Sequence, residues 1–248
     1  MVEPLFISPI PQAMTIGGTY RLVGSEAKHA VSVRRLELGE SIAVSDGQLR
    51  KIRGKVSALG KDWLELQVAE LSEIDSPELE ICLVQALAKG DRDELAIQAC
   101  TELGATQFIP WQAERSISVW RDQKIERGVM RWQTIVTEAA KQSLRPAIPK
   151  VLPALDSKDL IAALSAFELV LVLDPTAEFS ITDSSIDLPE RGSLAVVVGP
   201  EGGISEGELA AFEAAGFVRV RLGSGVLRTS TAGVAAISYL QASAGDWS

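Results

Sequence analysis

The residues best placed to do chemistry stand in two glycine-rich stretches late in the chain. Gly199-Pro200-Glu201-Gly202-Gly203 ends the apolar run Ala195–Val198, and Gly223-Ser224-Gly225-Val226-Leu227-Arg228 ends the run VRVRL. Glycines let a backbone turn sharply and approach a ligand closely. Glu201 puts a carboxylate in the first loop, and Arg228 puts a cation in the second, just before Thr229-Ser230-Thr231. Such loops suit a nucleotide-like cofactor, although each also reads as a plain turn from strand to helix, with Arg228 an ordinary loop arginine. The first loop lacks the G-x-G-x-x-G spacing of a dinucleotide site, and neither carries the Gly-Lys-Ser/Thr of a phosphate-binding loop. The one histidine is His29 and the two cysteines are Cys82 and Cys100. That set offers no zinc site, and a Ser-His-Asp triad would depend on His29 alone.

Both loops need a strand before them and a helix after them. Ser205 and Glu208 have the spacing of a capping box, so a helix follows the first loop, with Leu209, Phe212 and Ala215 as its buried stripe and Gly216 as its stop. An alanine-rich helix follows Arg228. Upstream, LEICLVQALAK (79–89) reads as a strand covered on both faces, and ATQFIPW, FELVLVLD (167–174) and LAVVVG read as further strands. Asp91 and Glu94 suggest a second capping box, opening a helix with Leu95, Ala99 and Leu103 inward. Residues 125–144 predict a long helix with Ile125, Trp132, Ile135, Val136 and Ala139 as its apolar face. Residues 175–192 read as a polar connection. Strands alternating with helices imply an α/β fold with a parallel sheet, and ligands bind such sheets beyond the carboxyl ends of the strands.

Before Ser76-Pro77 the pattern differs. SIAVSDG ends in the turn signal Asp46-Gly47, and DWLELQVAEL sets Leu64, Leu66 and Val68 against Trp63, Glu65 and Gln67. Short alternating strands imply a small all-β unit, a barrel by the need to hide its edges, with EAKHAVSVRRLELG (26–39) as its one helix. The expected domains are 1–76 and 77–248.

The chain has 248 residues, 46% of them hydrophobic, and a formal net charge of −9. Segments 28–61 and 115–150 each hold eight Lys/Arg against three Asp/Glu, so −19 falls on the remainder. Two basic segments on an acidic body are either a local phosphate-binding surface or solvated faces. Residues 1–18 lack the basic and long apolar regions of a signal peptide, and runs such as LVLVL are far too short to span a membrane. A reduced cytoplasmic protein is the expectation, with no membrane partner and no metal.

Five motifs in order carry a resemblance over nearly the whole chain. GPEGGISEGE and LGSGVLRTSTA, together with HAVSVRRLELGESIAVSDG, ALAKGDRDELAIQACTELGATQFIPWQAERS and RWQTIVTEAAKQSLR, resemble the RsmE family, the 16S ribosomal RNA uridine-N3 methyltransferases of the SPOUT superfamily. The resemblance implies a PUA-like RNA-binding β-barrel followed by an α/β domain with a trefoil knot. It also implies S-adenosylmethionine as cofactor, 16S rRNA of the small ribosomal subunit as substrate, and a homodimer. The cofactor site so implied comprises Leu173, Gly199, Pro200, Glu201, Gly202, Gly203, Leu222, Gly223, Val226 and Leu227. Arg228, or backbone amides of the glycine loops, would stabilise charge on the deprotonated uridine. Glu201 would accept the proton or hydrogen-bond the cofactor or Arg228. Arg34, Arg35, Arg115 and Arg145 are candidates for phosphate contacts, because guanidinium forks match phosphate oxygens. His29 reads as a packing or helix-surface residue rather than an RNA contact. Trp63 and Trp132 read as core, and Trp111 and Trp120 as candidates for stacking on bases.

The sequence departs from the family pattern at Gly225, Ser230 and Leu144, which stand where many members carry Arg, Glu and Gly. Two other classes fit the residues less fully. A non-catalytic RNA-binding or ribosome-assembly factor would keep the fold without needing intact loops. An α/β enzyme using another nucleotide cofactor on a small substrate would have no use for the barrel and basic segments.

Overall fold

The computed structural model describes residues 3–243 and Trp247. Their contacts divide the chain into two units. The first is Met1–Ser76 with Ala140–Ile148, and the second is Pro77–Ala139 with Pro149–Ser248. Residues Ala140–Ile148, assigned by sequence to the second domain, thus group with the first.

The first unit is a five-stranded sheet in the order β1 (Leu5–Ile7), β3 (Ser41–Ser45), β4 (Arg50–Leu59), β5 (Trp63–Glu73), β2 (Thr19–Val23). The strands alternate because one face is buried: Leu64, Leu66 and Val68 join Ile42, Val44, Ile52, Val56 and Leu22 in one core. Each such side chain stabilises the fold by roughly 1.5–3 kcal/mol. The Asp46-Gly47 turn forms as its composition dictates. Asp46 Oδ1 accepts from the amides of Gln48, Leu49 and Arg50, and Gly47 takes φ 77°. The edge strands β1 and β2 are not hydrogen-bonded to each other, so the ladder itself does not close. The helix expected over 26–39 is shorter: α1 (Gly24–Lys28) runs into a single π-helical turn, His29–Val33. Arg35 then takes φ 55°, which ends any helix.

The second unit is a parallel sheet in the order β11 (Phe179–Ser180), β13 (Val218–Arg221), β10 (Leu169–Leu173), β12 (Gly192–Val198), β6 (Leu79–Ala86), β7 (Gln107–Gln112), β8 (Lys150–Val151), with β9 (Leu155–Asp156) also paired to β7. Both faces are covered, which is why the strands read as continuous apolar runs. On one face Leu160 and Leu164 of α4 (Ser157–Leu164) and Phe212 of α5 (Glu206–Ala214) pack on Val84, Val172 and Val197. On the other lie α2 (Arg92–Glu102) and α6 (Thr229–Ser243). A Cβ at Gly233 of α6 would meet Leu83 Cδ1 at 2.9 Å and Val198 Cγ2 at 3.4 Å, so glycine is what lets this helix approach the sheet. The chain lays down β6 and β7 outward in one direction, then crosses to β10 on the far side of β12. That reversal is the switch point at which α/β sheets open a crevice.

Two helices differ from expectation. Asp91 makes no side-chain cap on α2. Instead Asp93 turns inward and accepts from the Ala88 amide, while Glu94 pairs with Arg131 of α3 (Gln123–Gln142). The buried face of α2 is therefore Asp93, Ala96, Ile97, Cys100 and Thr101, and Leu95 lies outside. On α3 Trp132, Val136 and Ala139 are buried as the pattern predicts, but Ile125 is exposed.

After α3 the chain reaches Leu144 at φ 57°. A left-handed conformation costs a residue with a Cβ roughly 1–2 kcal/mol, and Leu144 is partly exposed. Leu144→Gly is accordingly expected to leave the fold intact and to raise stability by up to about 1 kcal/mol. A melting curve checks this; a lower midpoint would mean that the leucine's packing outweighs its backbone strain.

Candidate functional site

Three loops leave the carboxyl ends of neighbouring strands in the second unit. Asp174-Pro175-Thr176 follows β10, residues 199–204 follow β12, and residues 222–228 follow β13. They enclose a cleft of about 570 Å³. That is the size of small-molecule sites generally. Of the residues expected to form a cofactor site, Leu173, Gly199, Pro200, Glu201, Gly203, Leu222, Val226 and Leu227 line it, as does Arg228. Gly202 and Gly223 do not. Gly202 backs onto Arg115, whose Cβ would lie 3.2 Å from an added Cβ, and Gly223 supplies a turn at φ 76°.

The first loop is shaped by its sequence. A Cβ on Gly199 would sit 2.7 Å from Ile204 Cγ1, and Gly203 takes φ 73°. The predicted capping box then opens α5: Ser205 Oγ accepts from the Glu208 amide and the Glu208 carboxylate from the Ser205 amide. The other Glu208 oxygen accepts from Ser157 Oγ and the Glu114 amide, so this carboxylate is a structural node.

Glu201 is anchored by groups other than Arg228. Its Oε1 accepts from the Lys89 amide at 2.9 Å and from Arg92 Nη1 at 3.1 Å. Burial pushes the Glu201 carboxyl up, but backbone amides and Arg92 outweigh that and hold it below its ordinary range. A carboxylate stabilised in its charged form is a weak base, which speaks against Glu201 as the proton acceptor. Its observed partner is Arg92, a cleft residue that sequence reasoning did not single out.

The third wall was also missed. Asp174 is buried and accepts from the amide and hydroxyl of Thr176 and from Arg219 Nε at 3.0 Å. Arg219 also donates to Glu213, and Arg221 donates to the carbonyls of Ala177 and Glu178. Alternating arginines of β13 thus clamp the loop after β10. Only the strand-end position of Asp174 hinted at this. Burial pushes the Asp174 carboxyl up, while the Thr176 hydrogen bonds and Arg219 prevail and hold it below the usual value. A depressed carboxylate contributes stability above its unfolded pKa of about 3.9 and loses it as pH falls through the lower folded value. Asp174→Asn is therefore expected to cost about 1–3 kcal/mol at neutral pH. The gap to the wild type should close in acid, below about pH 4. Melting curves from neutral pH downward check this, and a gap independent of pH would contradict the ionic account.

Arg228 differs from Arg92, Asp174 and Glu201, the ion-paired charges of the cleft. Its backbone carbonyl caps α6, accepting from the amides of Thr231 and Ala232. Its side chain is exposed, and among the described residues no carboxylate pairs with it. Arg92, the other cation lining the cleft, is engaged by Glu201. Val226 and Leu227 beside it are exposed apolar groups.

The four arginines proposed for phosphate contacts separate. Arg34 and Arg35 are exposed on the first unit, directly after the π-helical turn. Arg145 is half-buried in the same unit, its amide bonded to the Ala140 carbonyl. Arg115 belongs to the second unit, where its Nη1 lies 3.5 Å from the carbonyls of Gly202 and Ile204. It braces the first glycine loop. The tryptophan assignments need correction. Trp111 is fully buried, edge-on to Phe212, and donates to Ser157 Oγ, so it cannot stack on a base. Trp120 is half-buried, edge-on to Trp132. Trp63, expected in the core, is half-buried beneath the Arg21 guanidinium, 4.2 Å from the ring centroid. His29 packs edge-on to Phe6. Among the described residues no cluster of His, Cys, Asp and Glu could hold a metal, and no helix is long and apolar enough to cross a membrane.

The family model of an RNA methyltransferase domain matches residues 75–241, and that of an RNA methyltransferase PUA domain matches residues 22–80. Ribosomal RNA small subunit methyltransferase E of Mycobacterium bovis is 40% identical over all of this chain and 94% of its own length. The protein of that name from Bacillus subtilis is 32% identical over 96% of each chain. In structure, the chain is similar to a ribosomal RNA small subunit methyltransferase E of Neisseria gonorrhoeae bound to S-adenosyl methionine. The TM-score is 0.85 at 30% identity, over 97% of this chain and 98% of the other.

Proposed function

Because the chain belongs to the ribosomal RNA small subunit methyltransferase E family, we propose that it transfers a methyl group from S-adenosylmethionine to N3 of a uridine in 16S rRNA of the small ribosomal subunit. The observation that carries this reading is the cleft itself. Three loops at the switch point enclose a nucleoside-sized space beside a guanidinium that has no acidic partner among the described residues.

The residues present fit the cofactor. Leu173, Leu222, Val226 and Leu227 offer apolar surface to a base, and Gly199 and Gly203 allow close backbone approach. S-adenosylmethionine, when bound, supplies an activated methyl group on a sulfonium. The chain's part is to place the nucleophile in line with that bond, since positioning accounts for much of such a barrier. Neutral uridine N3 carries a proton and is a poor nucleophile. Arg228 would stabilise the negative charge that spreads over N3, O2 and O4 as the proton leaves. Glu201 would hold the first loop against Arg92 and the start of α2. The target uridine must be unpaired and presented singly, because a paired N3 is inaccessible. The first unit, with Arg34, Arg35 and Arg145, would grip the RNA backbone, and Arg115 would contact phosphate beside the first glycine loop. A trefoil knot through the second unit and a homodimer complete the proposal.

Calorimetric titration with S-adenosylmethionine tests the cofactor assignment. One site per chain is the expected result; no heat with S-adenosylmethionine or its demethylated product would refute it.

A further inference from the structure

Resting on that reading, one buried contact goes beyond it. The two glycine loops lie far apart in sequence, yet their roots are tied through a single hydroxyl. Thr229 Oγ1 donates to the Gly199 carbonyl at 2.9 Å and accepts from Gln85 Nε2 at 2.8 Å. The second hydrogen of that amide goes to the Ala86 carbonyl at 3.1 Å. A carbonyl can only accept, so Ala86 fixes which way the Gln85 amide faces, and that in turn makes the Thr229 hydroxyl the donor toward Gly199.

Gln85 sits deep in the sheet, on β6 opposite Val198 of β12, with no exposed surface. Its Oε1 is buried and, among the described residues, has no hydrogen-bond partner. A core position that keeps an unsatisfied oxygen is at odds with stability and calls for another reason. Thr229 is likewise buried, while its neighbour Arg228 is exposed in the cleft. The strut therefore begins in the sheet and ends at the first residue of one cofactor loop and beside the last residue of the other.

We propose that Gln85 and Thr229 are positioning residues that set Arg228 in register with the Gly199–Gly203 loop, so that cofactor and guanidinium face each other at the correct separation. They act through their neighbours: Gln85 has no exposed surface, and the Thr229 hydroxyl, though its residue lines the cleft, is held between Gly199 and Gln85.

The test uses Thr229→Val, which keeps the shape and removes the hydroxyl, and Thr229→Ser, which keeps the hydroxyl. Thr229→Val should lower kcat for methyl transfer by about a hundredfold while KM for S-adenosylmethionine moves far less. Thr229→Ser should stay within a few-fold of the wild type. Gln85→Leu should lower kcat in the same sense with an undiminished melting temperature, because it also removes the unsatisfied oxygen. Amide hydrogen exchange at Gly203 and Thr231, bonded to the Pro200 and Arg228 carbonyls, should quicken in Thr229→Val relative to Thr229→Ser. Unchanged kcat in Thr229→Val, equal losses in both Thr229 variants, or losses that merely track melting temperature would each overturn the proposal. If the wild type transfers no methyl group, the proposed function falls by itself. The strut is then judged by the exchange rates alone, where equal rates in the two variants would refute it.

Discussion

Arg228→Ala is expected to fold with an unchanged melting temperature and to lose methyl transfer by a factor of about 10²–10³. The stability half of this expectation follows from the side chain's surroundings. It is exposed and has no acidic partner among the described residues, so its removal uncovers no buried charge. The anchoring of the second loop runs through the Arg228 carbonyl and Thr229, neither of which the substitution touches. The catalytic half follows from charge. Removing a donor aimed at a developing anion raises the barrier without altering the bound cofactor. Binding of S-adenosylmethionine should therefore persist. Arg228→Lys should recover part of the rate, because it restores the charge but not the planar fork. Turnover of Arg228→Ala equal to the wild type would remove this residue from the chemistry.

Replacing Arg34 and Arg35 together by Glu is expected to weaken RNA binding at least about tenfold, given what charge-assisted hydrogen bonds contribute. The slope of log affinity against log salt should also fall by about 1 for each arginine that no longer meets a phosphate. Both side chains are exposed on the first unit, whereas the proposed cofactor cleft belongs to the second. S-adenosylmethionine affinity should not change. Arg35 holds a left-handed backbone, a strain that Glu inherits unaltered. Filter binding across a salt series checks the first part and calorimetry the second. A parallel fall in both affinities would mean misfolding rather than a weaker grip on RNA.

Local chemistry was legible in the sequence. Ser205 and Glu208 wrote their capping box, Asp46-Gly47 its turn, and the alternation around Leu64 its sheet face, because each depends on neighbours a few residues away. The glycine loops announced a strand-loop-helix unit and hence most of the cleft. What stayed hidden depends on the order of strands in the sheet. Asp174 meets Arg219, and Gln85 meets Thr229, only after the chain has crossed from β6 to β10 and back to β12. Asp91 and Glu94 looked like a cap, but the nearby Ala88 amide drew Asp93 inward and turned α2 about its axis. Trp111 looked available for stacking because arginine follows it four residues on. Its place on a central strand of a sheet covered on both faces buried it. Glu201 was rightly placed in the loop, yet its partner Arg92 lies on another element.

The most direct test is transfer of a radiolabelled methyl group from S-adenosylmethionine to small ribosomal subunits taken from a strain lacking this gene, followed by nucleoside digestion. The account predicts label in 3-methyluridine from the wild type and almost none from Arg228→Ala. Label in another nucleoside, or none despite bound cofactor, would contradict it.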